Sequence, residues 1–209
     1  MTSPSPAPPP SGFRRALVDY LRTQAKPPDK FSHQARLYHL ATRIGSGLPH
    51  DDDVLFAAAW LHDLGVFVGH RPEDPAALSK WDHVVYVLER APALLAELGF
   101  PSGKIPAVLD AIRCHQPADD PCSAEGVILR DADILEQVGA AGILRTGSKV
   151  GRDTRFLTFS DALRVLRGNL ETLPGQVQLA ATRALAEPRI AVLRAFLEQA
   201  RAEAGAIAW

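Results

Sequence analysis

A histidine and an aspartate stand side by side as His62-Asp63, directly after the apolar run 55–61. Ionisable side chains next to such a run are costly to bury unless a partner satisfies them. A divalent metal ion would satisfy an imidazole and a carboxylate at the same time. The pair therefore indicates a metal site, to which other histidines and aspartates of the chain would contribute.

Two further candidates are His33, upstream of the pair, and Asp133, downstream of it. Two imidazoles and two carboxylates suit Mn²⁺, Fe²⁺, Co²⁺, Ni²⁺ or Zn²⁺ better than Ca²⁺. Four protein ligands leave positions in an octahedral shell for water and a substrate oxygen. An ion held in this way would polarise the substrate and lower the pKa of its bound water. We expect one divalent transition metal at His33, His62, Asp63 and Asp133.

The pattern of apolar residues predicts that helices position these residues, because apolar residues recur with helical spacing and stretches of alternating polarity are short. The sequence therefore predicts an all-α fold. Asp51 to Asp53 supply an N-cap for the helix that leads to His62, and Ser79, with Asp82 three residues later, resembles a capping box before His83. The predicted helices cover about 13–23, 31–44, 51–65, 79–98, 102–116, 123 to 142–147, 160–170 and 175–204.

The bulk composition fits one globular domain. The chain has 209 residues, of which 46% are hydrophobic, and this length is ample for a core without disulfides. A net charge of −1 gives no reason to expect a nucleic-acid polymer as partner. No run of about 18 apolar residues is present, so we expect no membrane span. The sequence leaves an oligomer open.

The cysteines and the N-terminal segment carry no chemistry in this interpretation. Cys114 and Cys122 match no common zinc pattern, and we expect reduced thiols in a cytoplasmic protein. Residues 1–12 are rich in proline and lack the features of a secretion signal, so we expect a disordered tail. Residues 13–209 then form a single domain, with a C-terminal helical annex from about residue 158.

Three segments resemble the motifs of the HD superfamily of metal-dependent phosphohydrolases. In 33–37, Arg36 follows the first histidine by three residues, as is usual in that family. The segment 61–65 reads Leu-His-Asp-Leu-Gly, and 131–135 is followed by Gly139. The resemblance implies an HD-domain helical fold with additional C-terminal helices. It also implies hydrolysis of a small phosphate ester or anhydride.

The C-terminal part of the chain resembles a narrower group. Segments 159–163, 171–173, 180–183 and 196–198 are similar to the last helices of bacterial HD hydrolases of the nucleotide pyrophosphohydrolase branch. This second resemblance implies a small phosphorylated substrate such as a nucleotide.

Asp131 and Asp133 compete for the last ligand position. Two residues apart on a helix, they face roughly opposite ways, so only one points at the metal. The family pattern places the ligand in an Ala-Asp pair, which favours Asp133. We expect Asp131 to cap a neighbour or to orient a metal-binding histidine.

Three roles are open for His83 and His115. The first role is to ligate a second metal, as in dinuclear HD phosphodiesterases and oxygenases. The second is to bind the substrate phosphate, and the third is that of an ordinary structural histidine. A position near a helix C-terminus makes His115 easier to protonate, which favours phosphate contact.

Several cations are candidates for holding the charge of a substrate. Arg36 and Arg145 are the two that we assign to the site, and for Arg36 an ion pair within the site is the alternative. The polar and basic loop 147–158 contains Lys149 and Arg155. It is either an ordinary solvated loop or a flap that offers guanidinium groups to phosphates.

The chain departs from many HD phosphohydrolases after its motif. An acid that serves as general acid or base often follows the histidine by three to five residues, and here those positions are Gly65, Val66 and Phe67. The nearest acids are Glu73 and Asp74. The sequence thus favours a metal-dependent phosphohydrolase. A dinuclear iron HD oxygenase and a non-catalytic nucleotide-binding regulatory module are the alternatives.

Overall fold

The structure, a computed structural model, describes residues 12–121 and 123–204. The predictions for the proline-rich tail and for Cys122 lie outside the described residues, apart from Gly12 at the end of the tail. Within the described part the chain forms ten α-helices and no β-sheet, which confirms the all-α prediction. The helices are α1 Phe13–Gln24, α2 Asp29–Ile44, α3 Asp52–Leu61, α4 Pro75–Ser79, α5 His83–Glu97, α6 Ile105–Arg113, α7 Ala124–Glu136, α8 Gly139–Gly147, α9 Phe159–Thr172 and α10 Ala180–Ala204.

Helix α3 lies at the centre of the fold. Its N-terminus is capped by Asp51, as predicted, through hydrogen bonds from two backbone N–H groups. Every residue from Val54 to Leu61 is buried, because α1, α2, α6 and α7 surround the helix. A helix that is apolar on all sides is stable only in such a position. It delivers His62 and Asp63, which follow its last turn, to the interior of the protein.

The segment between α3 and α5 differs from the prediction in two ways. Asp82, and not Ser79, caps α5 by accepting hydrogen bonds from two backbone N–H groups of its first turn. Ser79 is instead the last residue of α4, a short helix within the predicted loop. The reason is tertiary: the indole N–H of Trp81 donates to the carbonyl oxygen of Gly65, and the chain enters α5 only after this contact.

The long helix predicted from Ser123 is divided in two. Helix α7 ends at Glu136, and α8 begins at Gly139, whose φ is +71°. This φ favours glycine, and a Cβ added there would lie 2.9 Å from the Cβ of Arg189 in α10. The break turns α8 back along α7, so that Arg145 donates a hydrogen bond to the backbone oxygen of Glu136.

Helices α9 and α10 pack against the pair α7 and α8. Helix α9 begins with a capping box, in which Thr158 and Asp161 each accept a hydrogen bond from the backbone of the other. Its start is within two residues of the predicted one. None of the described helices is long and apolar enough to cross a membrane.

Candidate metal centre

The four predicted ligands come together beside the C-terminal end of α3. The Nε2 atom of His33 lies 3.6 Å from a carboxylate oxygen of Asp63 and 3.7 Å from one of Asp133. The Nε2 atom of His62 lies 3.7 Å from the same oxygen of Asp63. Ligand atoms of His33, His62 and Asp133 all lie within 4.8 Å of one another, which is close enough for nitrogen and oxygen donors to bind one ion.

His83 and His115 border the same centre. The Nε2 atom of His83 lies 3.8 Å from the other oxygen of Asp63. Ligand atoms of His115, His62 and Asp63 all lie within 4.8 Å of one another. Of the predicted roles, a second metal and a substrate contact both fit this position.

Backbone carbonyl groups fix the tautomer of two of these histidines. The Nδ1 atom of His62 lies 3.0 Å from the carbonyl oxygen of Ala59, and that of His115 lies 2.6 Å from the carbonyl oxygen of Ile112. A carbonyl oxygen only accepts hydrogen bonds, so each Nδ1 carries the proton and each Nε2 carries a lone pair. Both rings therefore present a ligand nitrogen to the centre.

The Nε2 atom of His62 shows that the centre suits an ion. His62 is fully buried, and this nitrogen has no hydrogen-bond partner among the described residues. A buried polar atom without a partner costs about 1–3 kcal/mol. A metal ion at the centre would remove this cost, and the nitrogen and oxygen donors around it fit a divalent transition metal.

Burial also sets the charges of the centre. It lowers the pKa of His62, His83 and His115, so these rings are neutral at neutral pH and available as ligands. Burial alone would raise the pKa of Asp63, but His62 and His33 hold it well below its usual range, and Asp63 is ionised. For His115, burial outweighs the backbone hydrogen bond and the expected effect of the helix C-terminus, so its pKa is lowered and not raised.

Gly65 allows His83 to approach the His-Asp motif. A Cβ added at Gly65 would lie 2.8 Å from the backbone oxygen of His83, so the close contact requires glycine. Next to it, the indole N–H of Trp81 donates to the carbonyl oxygen of Gly65 over 2.8 Å. These contacts dock the first turn of α5 on the turn after Asp63 and fix the position of His83.

The two aspartates of α7 face opposite ways, as predicted. Asp133 faces the centre, where its carboxylate approaches His33. Asp131 is fully buried on the other side, where it accepts hydrogen bonds from the backbone N–H groups of Gln178 and Leu179, at 3.1 and 2.9 Å. The structure thus corrects the prediction that Asp131 orients a metal-binding histidine. It ties α7 to the segment that leads into α10, a contact between distant parts of the chain.

A cavity of about 540 Å³ opens on the metal centre, and Asp63, His83, His115 and Asp133 line it. An adjoining cavity of about 440 Å³ shares much of its wall. Five cationic side chains line the larger cavity: Lys30, Arg71, Arg145, Lys149 and Arg155. This concentration of positive charge beside the metal centre suits an anionic ligand with several oxygens, such as a phosphate.

Two of these cations are partly buried lysines, and burial disfavours their charged form. Burial lowers the pKa of Lys30, and burial together with the nearby Lys30 lowers the pKa of Lys149 to about 8. Residues of the loop 147–158 line the cavity, among them Lys149 and Arg155, while much of the loop is exposed. Sequence reasoning missed Lys30, although it precedes His33 by three residues on α2 and hence shares its face.

Glu136 joins both predicted arginines to His33. One of its carboxylate oxygens lies 3.1 Å from Nε of Arg36, 3.3 Å from Nδ1 of His33 and 3.8 Å from Nη1 of Arg145. Burial would raise the pKa of Glu136, but His33 and Arg36 lower it to about 2. Arg36 is thus an ion-pair partner. It is not among the described residues that line either cavity, so the predicted substrate contact falls to Arg145, which lines both.

Among the described residues that line the cavity, the acids outside the proposed ligand set are Glu136 and Asp153, and neither is a protonated acid that could replace the one missing from the motif. Asp153 lines the cavity, but its hydrogen bond from Arg155 lowers its pKa to about 2, so it is ionised at neutral pH. Asp74, one of the two nearest acids in the sequence, caps α4.

The model of the HD domain family matches residues 31–137, which is more than half of the chain. The chain belongs to the HD domain family. The matched region begins in α2 and ends just after α7, and it contains all four predicted ligands. No curated protein sequence is detectably similar to this HD domain protein.

Solved structures resemble the HD domain and the helices that follow it. A predicted HD superfamily hydrolase from an uncultured Thermotogales bacterium is 28% identical, with a TM-score of 0.64, and the match covers 93% of this chain and 94% of that one. Bacillus subtilis YpgQ in complex with ADP is 21% identical, with a TM-score of 0.72 and coverage of 93% and 96%. An HD-superfamily hydrolase from Bacillus thuringiensis is 21% identical, with a TM-score of 0.67 and coverage of 92% and 97%.

The last two likenesses show that the fold is shared over nearly the whole length of each chain. Family membership, the Thermotogales relative and the cluster of ligand donors together support a metal-dependent hydrolase.

Proposed function

We propose that the protein is a metal-dependent phosphohydrolase that cleaves a small phosphate ester or anhydride, with nucleotides as the substrate class. One observation carries the proposal. The unpartnered Nε2 of His62 lies among the ligand donors of the centre, and the cavity beside them is lined by five cations. Ligands for a metal and charges for a phosphate are thus in one place.

The residues of the chain divide the work between them. A divalent ion held by His33, His62, Asp63 and Asp133 would supply Lewis-acid polarisation of a phosphoryl oxygen and a water of lowered pKa. Arg145 lines the cavity next to this centre, and its planar guanidinium group can pair with two phosphate oxygens at once.

The other cavity residues complete the binding of the phosphate. Lys149 and Lys30 add point charges, which phosphate oxygens would stabilise in their partly buried positions. His83 and His115 offer ring nitrogens to the substrate or to a second ion.

Two observations support a nucleotide. A volume of about 540 Å³ lies within the range of small-molecule sites, and Trp81 and Leu78 give part of the wall an apolar character on which a base can pack. The second is the relative YpgQ, whose structure is a complex with ADP.

The test is a hydrolysis screen of the metal-free protein reloaded with Mn²⁺, Co²⁺, Ni²⁺ or Mg²⁺. Nucleoside mono-, di- and triphosphates and simple phosphomonoesters are the substrates, and released phosphate or pyrophosphate is measured. We expect metal-dependent release that Asp63→Ala abolishes. Binding of nucleotide without any hydrolysis would refute the proposal. It would support a regulatory module, which the lack of an acid at 65–67 also favours.

A dinuclear iron oxygenase is the second candidate. The observation that favours it is the second group of ligand atoms, from His62, Asp63 and His115, within 4.8 Å of one another. Iron-loaded protein that binds two equivalents per chain and shows the spectroscopic signature of a coupled iron pair would support this function. A mononuclear site would reject it.

A further inference from the structure

Glu136 is a carboxylate at the metal centre to which the function proposed above gives no role. It is the last residue of α7 and only 2% exposed. It follows Asp133 by three residues, so both side chains lie on one face of the helix. Burying a carboxylate costs several kcal/mol unless charged or hydrogen-bonding partners compensate. The partners of Glu136 therefore indicate its purpose.

Those partners are the first predicted metal ligand and two arginines. The Nδ1 atom of His33 lies 3.3 Å from Oε2 of Glu136, and Nε and Nη2 of Arg36 each lie 3.1 Å from the same oxygen. Nη1 of Arg145 lies 3.8 Å from it, and the same nitrogen donates to the backbone oxygen of Glu136 over 3.2 Å.

These contacts define the tautomer of His33. Its Nε2 lies 3.3 Å from Nη2 of Arg145, and a guanidinium group only donates hydrogen bonds. Nε2 therefore carries the lone pair, and Nδ1 carries the proton that it donates to Glu136. This arrangement leaves the unprotonated Nε2 of His33 on the side of Asp63 and Asp133, whose oxygens lie 3.6 and 3.7 Å away, where an ion would take the place of the Arg145 donor.

We propose that Glu136 is a positioning residue with two targets: it holds His33 in the tautomer and orientation that bind the metal, and it holds Arg145 on the cavity wall. A carboxylate that accepts the Nδ1 proton of a ligating histidine fixes the ring and makes its other nitrogen a stronger ligand. The first target concerns metal binding alone. The second target rests on the proposed function, because it assumes that Arg145 contacts the phosphate.

The chain offers a matched control on the same helix. Glu125, in the first turn of α7, also accepts a hydrogen bond from a distant part of the chain, the backbone N–H of Asp51. A change that acts only by weakening the packing of α7 would be produced by Glu125→Gln as well. A change that acts through His33 would be produced by Glu136→Gln alone.

The experiment titrates metal-free wild type, Glu136→Gln and Glu125→Gln with Mn²⁺ by calorimetry and records the electronic spectrum of each Co²⁺-loaded protein. We expect Glu136→Gln to weaken metal affinity by about 10–100-fold and to shift the Co²⁺ bands, because the imidazole becomes a weaker ligand. Glu125→Gln should match the wild type in both measurements. Glu136→Asp, which keeps the charge, is the second variant, and it should recover part of the affinity that Glu136→Gln loses.

Two results would overturn the proposal. One is wild-type metal affinity and an unchanged Co²⁺ spectrum in Glu136→Gln and Glu136→Asp. The other is an equal loss in Glu125→Gln, which would reduce Glu136 to a structural tie. Neither measurement needs a substrate, so both remain decisive if the phosphohydrolase function fails. If turnover is found, Glu136→Gln should in addition raise KM at saturating metal, and an unchanged KM would overturn the second target.

Discussion

Asp131 and Asp133 stand two residues apart on α7, and we expect their alanine variants to fail in different ways. The carboxylate of Asp131 accepts hydrogen bonds from two backbone N–H groups, at 3.1 and 2.9 Å, and lies 3.7 Å from the buried guanidinium group of Arg130. A hydrogen bond to a charged group contributes about 1.5–3 kcal/mol, so the loss of two costs about 3–6 kcal/mol. For a domain of this size that lowers Tm by about 6–24 °C.

Asp133→Ala should instead leave the metal-free protein nearly as stable as the wild type. Its side chain is partly exposed and is hydrogen-bonded to the side-chain amide of Gln137, so little packing is lost. What it should lose is the response to metal. An excess of about 100-fold over Kd stabilises the wild type by about 2.7 kcal/mol, or about 5–11 °C in Tm, and this increase should be absent in the variant.

The assay is thermal unfolding with a chelator, and then with rising Mn²⁺, for the wild type and both variants. Asp110→Ala serves as the control, because Asp110 is an exposed aspartate that pairs with Arg113 on the surface of α6. The reasoning is refuted if Asp131→Ala unfolds at the wild-type temperature in chelator. It is equally refuted if Asp131→Ala responds less to Mn²⁺ than Asp133→Ala does.

Three further predictions concern the surroundings of the centre. Gly65→Ala should cost about 1–3 kcal/mol by overpacking, because the new Cβ would lie 2.8 Å from the backbone oxygen of His83; urea unfolding measures it, and a loss below 0.5 kcal/mol would contradict the contact. Burial lowers the pKa of His62, His83 and His115, so the unfolded chain binds more protons than the folded one as pH falls below about 6.5. The free energy of unfolding of the metal-free protein should therefore fall by up to about 1.4 kcal/mol per pH unit for each ring that stays neutral in the fold. A free energy of unfolding that is constant between about pH 6.5 and 5 would contradict this prediction. His83→Ala and His115→Ala should each reduce turnover by about 10-fold or more if they contact the phosphate, or lower the metal content by about one equivalent if they ligate a second ion; no change in either quantity would make both residues structural.

The sequence predicts that the proposed ligands come together because each lies on a helix or directly after one. His62 and Asp63 end the most apolar segment of the chain, and the opposite faces of Asp131 and Asp133 follow from helical spacing. The sequence could not show which part of the chain the opposite face of α7 contacts. The partners of Asp131 are about 47 residues away, and only the packing of α10 brings them close.

The errors in the helix ends have the same origin. Ser79 and Asp82 are both good N-caps, and the contact between Trp81 and Gly65 decides between them. The spacing of Glu136 from Asp133 was available in the sequence, but an acid at the end of a helix is common. Its importance became visible only when three cationic or donor groups were found around it.

The burial of every α3 residue from Val54 to Leu61 has a consequence for the motions of the protein. A helix without a polar face has no partly opened state in which it stays in water at low cost, so its amide hydrogens should exchange only when the whole domain unfolds. His62 and Asp63 follow directly on this slowest-exchanging segment. The two proposed metal ligands that follow α3 are thus anchored to the part of the chain that opens last, whereas the position of His83 depends on the connection 62–82 between α3 and α5. Fluctuations of that connection can change the site on the side of His83 while the donors held by α3 keep their places.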